Sequence, residues 1–279
     1  MPNSVPVRQV TAISLAVALF DGVKDNQPKT AYKSWTDLVR GLTKHQERET
    51  KDGPLWSPTL YKSWEKRGIA GVLAVSCLVL DYEHHDVPDL GLWGRWEYVG
   101  HTSHSHSETD PHWRFILPLA SSVVAADWPR MWRRLDLALT AGRSDQACKD
   151  ASRIYYLPSH PPGGEFDVIH HPGAWLDPSE FDRKPVERWI EEAQNRLHEG
   201  RNVSGLWLAS QMYADEYSQT EVEAARWDTI VPYEQVDSQG KIDPYTTKEW
   251  LDTVRNVFSR SPRAPAPAMP LERRTPIHG

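Results

Sequence analysis

Apolar and polar positions follow three different rhythms along the chain, and the changes of rhythm mark three regions. In the first, helical spacings sit between polar loops. Ser34 precedes Trp35, Leu38, Val39 and Leu42, which share one helix face, and Asp37 stands where it can complete a cap with Ser34. Ser57-Pro58 reads as a second helix start, with Ser as cap, Pro at the first helical position, and Tyr61 and Trp64 on one face. The charged stretch Lys44 to Asp52 between them reads as solvated.

The middle region is strand-like. Val72 to Leu80 is a short apolar run rich in β-branched residues, the pattern of a strand buried on both faces. Trp96 to Val99 is a weaker strand, and Arg114 to Leu117 another, closed by Pro118. A helix is predicted from Asp127, with Trp128, Trp132, Leu135 and Leu139 on one stripe. Arg153 to Leu157 and Phe166 to Ile169 are further strands. Strands separated by a helix predict an α+β or α/β sandwich. The last region reads as all-helical. One helix opens at Pro185, runs through Trp189, Ile190, Ala193 and Leu197, and ends at Gly200. Ser218 with Glu221, and Thr246 with Glu249, have capping-box spacing ahead of two more helices. After Arg260 a Pro/Ala tail reads as disordered.

Composition narrows the class. The chain has 279 residues, 39% of them apolar, a net charge of −6, and 13 Trp spread over both halves, which read as core anchors. Mild acidity argues against coating nucleic acid by bulk positive charge, though not against an enzyme that touches it locally. The two cysteines, Cys77 and Cys148, lie in or near apolar runs and read as buried reduced thiols. The longest nearly apolar stretch, Gly68 to Leu80, is too short to span a bilayer, and Leu15 to Phe20 lacks the flanks of a signal peptide, so a soluble cytoplasmic protein is expected.

Three clusters carry candidate chemistry. The apolar strand ends in Asp81-Tyr82-Glu83, and strand periodicity puts Asp81 and Glu83 on one face. Paired carboxylates repel unless a cation neutralises them, and hard divalent ions suit oxygen ligands. His101-Thr102-Ser103-His104-Ser105-His106 follows, with Glu108, Asp110 and His112 close behind and Arg114 at a strand start, able to clamp phosphate. The third cluster is Asp145, Lys149 and Arg153, ahead of Ile154-Tyr155-Tyr156-Leu157-Pro158. Carboxylates, histidines and cations near strand ends are what nucleotidyl transfer needs.

The order of these motifs resembles the catalytic core of the archaeo-eukaryotic primase superfamily, in particular the primase-polymerases of phages, plasmids and mobile elements. The resemblance rests on Val79-Leu80-Asp81-Tyr82-Glu83, on Thr102-Ser103-His104 or His104-Ser105-His106, on Arg114-Phe115-Ile116-Leu117-Pro118-Leu119, and on Asp145 through Arg153 to Pro158. It covers residues 70–175 well. It implies an RRM-like mixed sheet flanked by helices (residues 1–178), then a helical domain (179–261) and the tail (262–279). It further implies Mg²⁺ or Mn²⁺, two ions, held by Asp81, Glu83 and Asp145. His104 or His106, with Arg114, Lys149 and Arg153, would hold the triphosphate, and His112 is a third histidine candidate. The activity implied is addition of nucleotides to a primer or first nucleotide on a single-stranded DNA template. No Walker-type P-loop occurs in the sequence, so a replicative helicase would be a separate partner.

Two alternatives compete. A rolling-circle nicking enzyme would use His104-Ser105-His106 for a metal and Tyr155 or Tyr156 as nucleophile, but leaves Asp81 and Glu83 without a role. A catalytically inactive nucleic-acid-binding replication protein would keep the fold without the chemistry.

Overall fold

The computed structural model describes residues 14–83, 87–231 and 245–260. The Pro/Ala tail lies outside the described residues. The chain divides into two compact units, one through Asp182 and one from Arg183.

The first unit is α+β, as expected. Its strands are β1 (Ser14–Phe20), β2 (Lys29–Ser34), β3 (Gln46–Glu47), β4 (Leu55–Ser57), β5 (Thr59–Tyr61), β6 (Val72–Glu83), β7 (Tyr98–Thr102), β8 (His112–Val124), β9 (Tyr155–Tyr156), β10 (Ser159–His160) and β11 (Val168–His171). The central sheet has the order β11-β7-β8-β6-β5 and is antiparallel at every pairing. A second antiparallel sheet has the order β2-β1-β4-β9, and β3 pairs with β10 in parallel. Among the described residues the parallel pairing is confined to a two-residue ladder and isolated bridges.

The apolar run of β6 is the centre of the core, with Cys77, Leu78, Val79 and Leu80 all buried. Helix α1 (Trp35–Leu42) starts at Ser34, whose hydroxyl accepts from the Asp37 N–H as predicted. Helix α2 (Trp128–Thr140) buries Trp128, Trp132, Leu135 and Leu139, the stripe read from the sequence. The Trp132 indole donates to the Val79 carbonyl at 3.2 Å and Trp93 donates to the Leu139 carbonyl at 2.9 Å, so large aromatics also close polar ends of the core.

Two local expectations fail here, each for a tertiary reason. Ser57-Pro58 opens no helix but joins β4 to β5. The Ser57 hydroxyl lies 2.8 Å from the Arg153 carbonyl and the Thr59 hydroxyl donates to the Ala151 carbonyl at 2.7 Å, so hydrogen bonds to a distant segment replace a cap. Leu15 to Phe20, given no element by the sequence, lies in β1, with Leu15, Val17, Ala18 and Phe20 buried. His45, inside the stretch read as solvated, stacks on Phe166 at 4.6 Å.

The second unit is helical: α3 (Val186–Asn195), α4 (Arg201–Ala214), α5 (Gln219–Ala224), α6 (Trp227–Ile230) and α7 (Thr247–Phe258). Both predicted capping boxes form, Ser218 with Glu221 and Thr246 with Glu249. Helix α4 was not legible, since Gly205 interrupts a mixed sequence that looks like a poor helix. A Cβ there would lie 2.8 Å from Trp227 Cδ1, so the glycine makes room for that indole. Trp189, Trp227 and Trp250 anchor the bundle and each donates its indole N–H, to Asp215, the Arg201 carbonyl and the Glu223 carbonyl.

Candidate active site

Three strands bring a charged row together. In the antiparallel register Arg114 of β8 lies directly opposite Asp81 of β6 and opposite His101 of β7. Directly opposed residues share one face of a sheet, so the three side chains form a line across it. Arg114 grips Asp81 with two hydrogen bonds, Nε to Oδ1 at 2.6 Å and Nη2 to Oδ2 at 3.1 Å. Its remaining Nη1 donates to the Tyr156 carbonyl at 3.2 Å, and the guanidinium lies 4.8 Å over the Tyr155 ring. Burial works against the Arg114 charge, but the Asp81 carboxylate outweighs it and raises its pKa above the ordinary arginine range.

Asp145 comes to this row from the opposite direction. Its backbone N–H donates to the Asp81 carbonyl at 2.9 Å, which ties the first and third motifs together. Its Oδ1 accepts from the Ala147 N–H at 2.9 Å, capping the 3₁₀ turn Gln146–Lys149, and its Oδ2 accepts from Arg153 Nη2 at 2.9 Å. Behind it, the buried Asp136 carboxylate accepts from the Ser144 hydroxyl at 2.6 Å and from Gln146 Nε2 at 3.0 Å. That network holds the loop and was not apparent from sequence.

Donor atoms of Asp81, Asp145 and Cys148 lie within 4.8 Å of one another. Cys148 is buried as expected, but its place beside two carboxylates is a tertiary fact. Burial pushes its thiol pKa up, and the Asp81 charge adds to that. This donor set fits one divalent ion. Each carboxylate oxygen has two lone pairs, and the arginine contacts take one from each of three of them. Glu83 stands apart from the set: it is exposed at the end of β6, opposite His112.

The structure sorts the histidines. His104 and His106 sit in the turn between β7 and β8. His104 Nδ1 lies 3.3 Å from the Ser159 hydroxyl, and His106 Nδ1 accepts from the His112 N–H at 3.2 Å. His112 Nε2 lies 3.1 Å from Asp110. Among the described residues no hydrogen bond joins His104 or His106 to Asp81 or Asp145. Burial, then the nearby His160, lowers the His104 pKa. Lys149 is exposed and Arg153 half-buried.

The histidine in the row is His101, which sequence reading passed over in favour of its neighbours. It is 1% exposed. Its Nδ1 lies 2.9 Å from the Thr102 carbonyl, which can only accept, so the proton sits on Nδ1. Nε2 is then a bare lone pair with no partner among the described residues. Burial, then Arg114, pushes its pKa down to about 3.

The nicking alternative finds no support in this geometry. Tyr155 is buried under Arg114 and burial pushes its hydroxyl pKa well up, while the Tyr156 hydroxyl lies 3.4 Å from Asp52. No helix among the described residues is long and apolar enough to cross a membrane.

Comparison with known proteins gives a family. Two solved structures align. One is the AEP domain of the cyanophage S-2L primase-polymerase, at 14% identity over 60% of this chain and 87% of that one, with a TM-score of 0.38. The other is the primase RepB′, at 12% identity over 91% and 93%, with a TM-score of 0.28. No curated protein matches the sequence. Residues 23–193 match the model of the VapE N-terminal domain, a stretch that contains Asp81, the histidine turn, Arg114, Asp145 and Arg153. The match spans more than half of the chain, and the chain belongs to the VapE N-terminal domain family.

Proposed function

We propose that this chain is a template-directed nucleotidyltransferase of the primase-polymerase type, adding nucleotides to a primer or first nucleotide on single-stranded DNA. The observation that supports it is the Asp145 N–H bond to the Asp81 carbonyl, which brings two carboxylates from distant motifs to one point flanked by two arginines.

Asp81 and Asp145 would hold a divalent ion, Mg²⁺ or Mn²⁺, since carboxylate oxygens suit these hard ions, while the Cys148 thiol lies beside them as a neutral neighbour. Bound there, it supplies charge neutralisation for the attacking 3′-hydroxyl and the triphosphate. Arg114 acts on Asp81: each of its three nitrogens gives one N–H to the Asp81 carboxylate or the Tyr156 carbonyl, so it orients that carboxylate. Arg153 has a single carboxylate contact and a third of its side chain exposed, so it exchanges Asp145 for a phosphate oxygen. Lys149, exposed on the same loop, adds a second phosphate contact. His101, buried with a bare Nε2 acceptor, flanks Arg114 in the row. His104 and His106 line the outer approach. Unwinding is left to a separate helicase, and the cytoplasm is the expected compartment.

The test is incubation with single-stranded DNA, labelled nucleotides and Mn²⁺, with and without primer. Incorporation by the native chain and its loss in Asp145→Asn support the proposal. Full incorporation by Asp145→Asn overturns it.

A further inference from the structure

The loop from Tyr61 to Arg67 carries a side chain for which the core has no use. Of the thirteen Trp residues, twelve are buried or half-buried. Trp64 is 100% exposed, and its backbone sits at φ 68°, a left-handed conformation that disfavours a bulky residue. Sequence reading had placed this residue on a helix face with Tyr61. Nothing inside the fold repays either the exposed indole or its backbone, and such a local conflict points to a binding role.

Its surroundings say what it would bind. Lys62, Lys66 and Arg67 are exposed with it, against one acid, Glu65, in a chain whose net charge is −6. None of these three cations is in an ion pair among the described residues. The loop is ordered before any ligand arrives. Lys62 N–H donates to the Gly71 carbonyl at 2.8 Å, Arg67 N–H to the Asn26 carbonyl at 2.8 Å, and Lys62 Nζ to the Ala70 carbonyl at 2.8 Å. Presenting the indole therefore costs little additional order.

The loop lies at the Val72 end of β6, nine residues and about 30 Å along that strand from Asp81, and β5 links it to the segment that carries Arg153. The strand that feeds it, β5, is fastened to the segment before Arg153. The Thr59 hydroxyl donates to the Ala151 carbonyl at 2.7 Å, and the Tyr61 hydroxyl to the Ser152 carbonyl at 3.4 Å. Two residues, Lys62 and Ser63, separate Tyr61 from Trp64, so the Cα atoms are about 10 Å apart at full extension.

We propose that Trp64 stacks on a base of single-stranded nucleic acid while Lys62, Lys66 and Arg67 meet its phosphates. An aromatic face among cations is the combination that binds single strands without reading sequence. The proposal rests on the template-directed reading and adds a strand contact about 30 Å from Asp81 along β6.

The experiment is fluorescence anisotropy of a short labelled oligo-dT with the full chain, Trp64→Ala, Trp64→Phe and Lys66→Gln. Trp64→Ala weakens binding by about 5- to 150-fold, the range for losing one stacked base. Trp64→Phe restores most of it, since it keeps an aromatic face. Lys66→Gln reduces the slope of log affinity against log salt by about 0.7, one phosphate contact, while Trp64→Ala leaves the slope unchanged. Trp64 touches no core, so loss of fold does not confuse the result. Binding of Trp64→Ala within about twofold of native, well short of the stacking range, overturns the proposal. If that result accompanies Asp145-dependent incorporation, the loop assignment fails alone. If binding depends on Trp64 but nothing is incorporated, the loop assignment stands and the enzymatic reading fails.

Discussion

The Asp81–Arg114 pair makes a quantitative prediction about both stability and the way activity has to be tested. The two side chains are 7% and 13% exposed, joined by a two-bond fork. Removing one member strands a charge in a place where water does not reach. Breaking a buried pair in this way costs about 3–5 kcal/mol, whereas removing both charges is close to neutral. Arg114→Met is therefore expected to lower stability by about 3–5 kcal/mol, equivalent to roughly 6–20 °C in Tm for a unit of this size. Asp81→Asn should lie in the same range, since Arg114 is left without its counter-charge. The double variant Asp81→Asn/Arg114→Met should recover to within about 1–2 kcal/mol of native, giving a large coupling in the double-mutant cycle. Urea unfolding measures the cycle, and amide exchange of β6 and β8 confirms that the first unit is the one affected. Arg114→Met within about 1 kcal/mol of native, or a double variant as unstable as the sum of the singles, would refute the reasoning. One consequence is practical. Asp81→Ala would lose activity through misfolding as readily as through chemistry, so Asp145→Asn is the cleaner catalytic test.

Arg153→Gln frees one Asp145 oxygen and removes a competing cation from a pair only two-thirds buried; Mn²⁺ affinity by calorimetry should rise about 1.5- to 5-fold, matching the 0.2–1 kcal/mol of such pairs, and a fall would contradict the donor set. His101 is held near a pKa of about 3 against an ordinary 6.5, between Arg114, Asp81 and His45. A lowered histidine pKa means the fold favours the neutral ring. Its contribution is complete above pH 6.5 and is lost as pH falls toward 3, at about 1.4 kcal/mol per unit. Burial also lowers His45, to about 4, so it acts in the same direction. His101→Gln should lose stability less steeply than the native chain between pH 6.5 and 4, and equal slopes would show that the ring is not held neutral.

What was legible locally turned out to be what is decided locally. The Trp128–Leu139 stripe, the Ser34 cap and the two capping boxes depend on residues within one or two helical turns, and all are present. Ser57-Pro58 looked the same in sequence and failed, because its hydroxyl is satisfied across the fold near Arg153. Trp64 failed as a helix-face residue because Tyr61 alone of the pair turns inward.

The candidate site divides along the same line. Sequence put forward Asp81 and Arg114 as candidates because charged residues near the ends of apolar strands stand out, and Asp145 and Arg153, which lie in a loop, through the order of the motifs. It could not say that Arg114 answers Asp81 or that Arg153 answers Asp145, and it chose His104 and His106 over His101. Those assignments follow from strand register and from one backbone hydrogen bond, Asp145 to Asp81, between residues far apart in the chain. Composition and periodicity therefore determined the locally capped helices and the central apolar strand, and put forward the candidate charges. Only the packing of β6, β7 and β8 decided which charges meet, because a shift of one residue in register would turn each of these side chains to the opposite face.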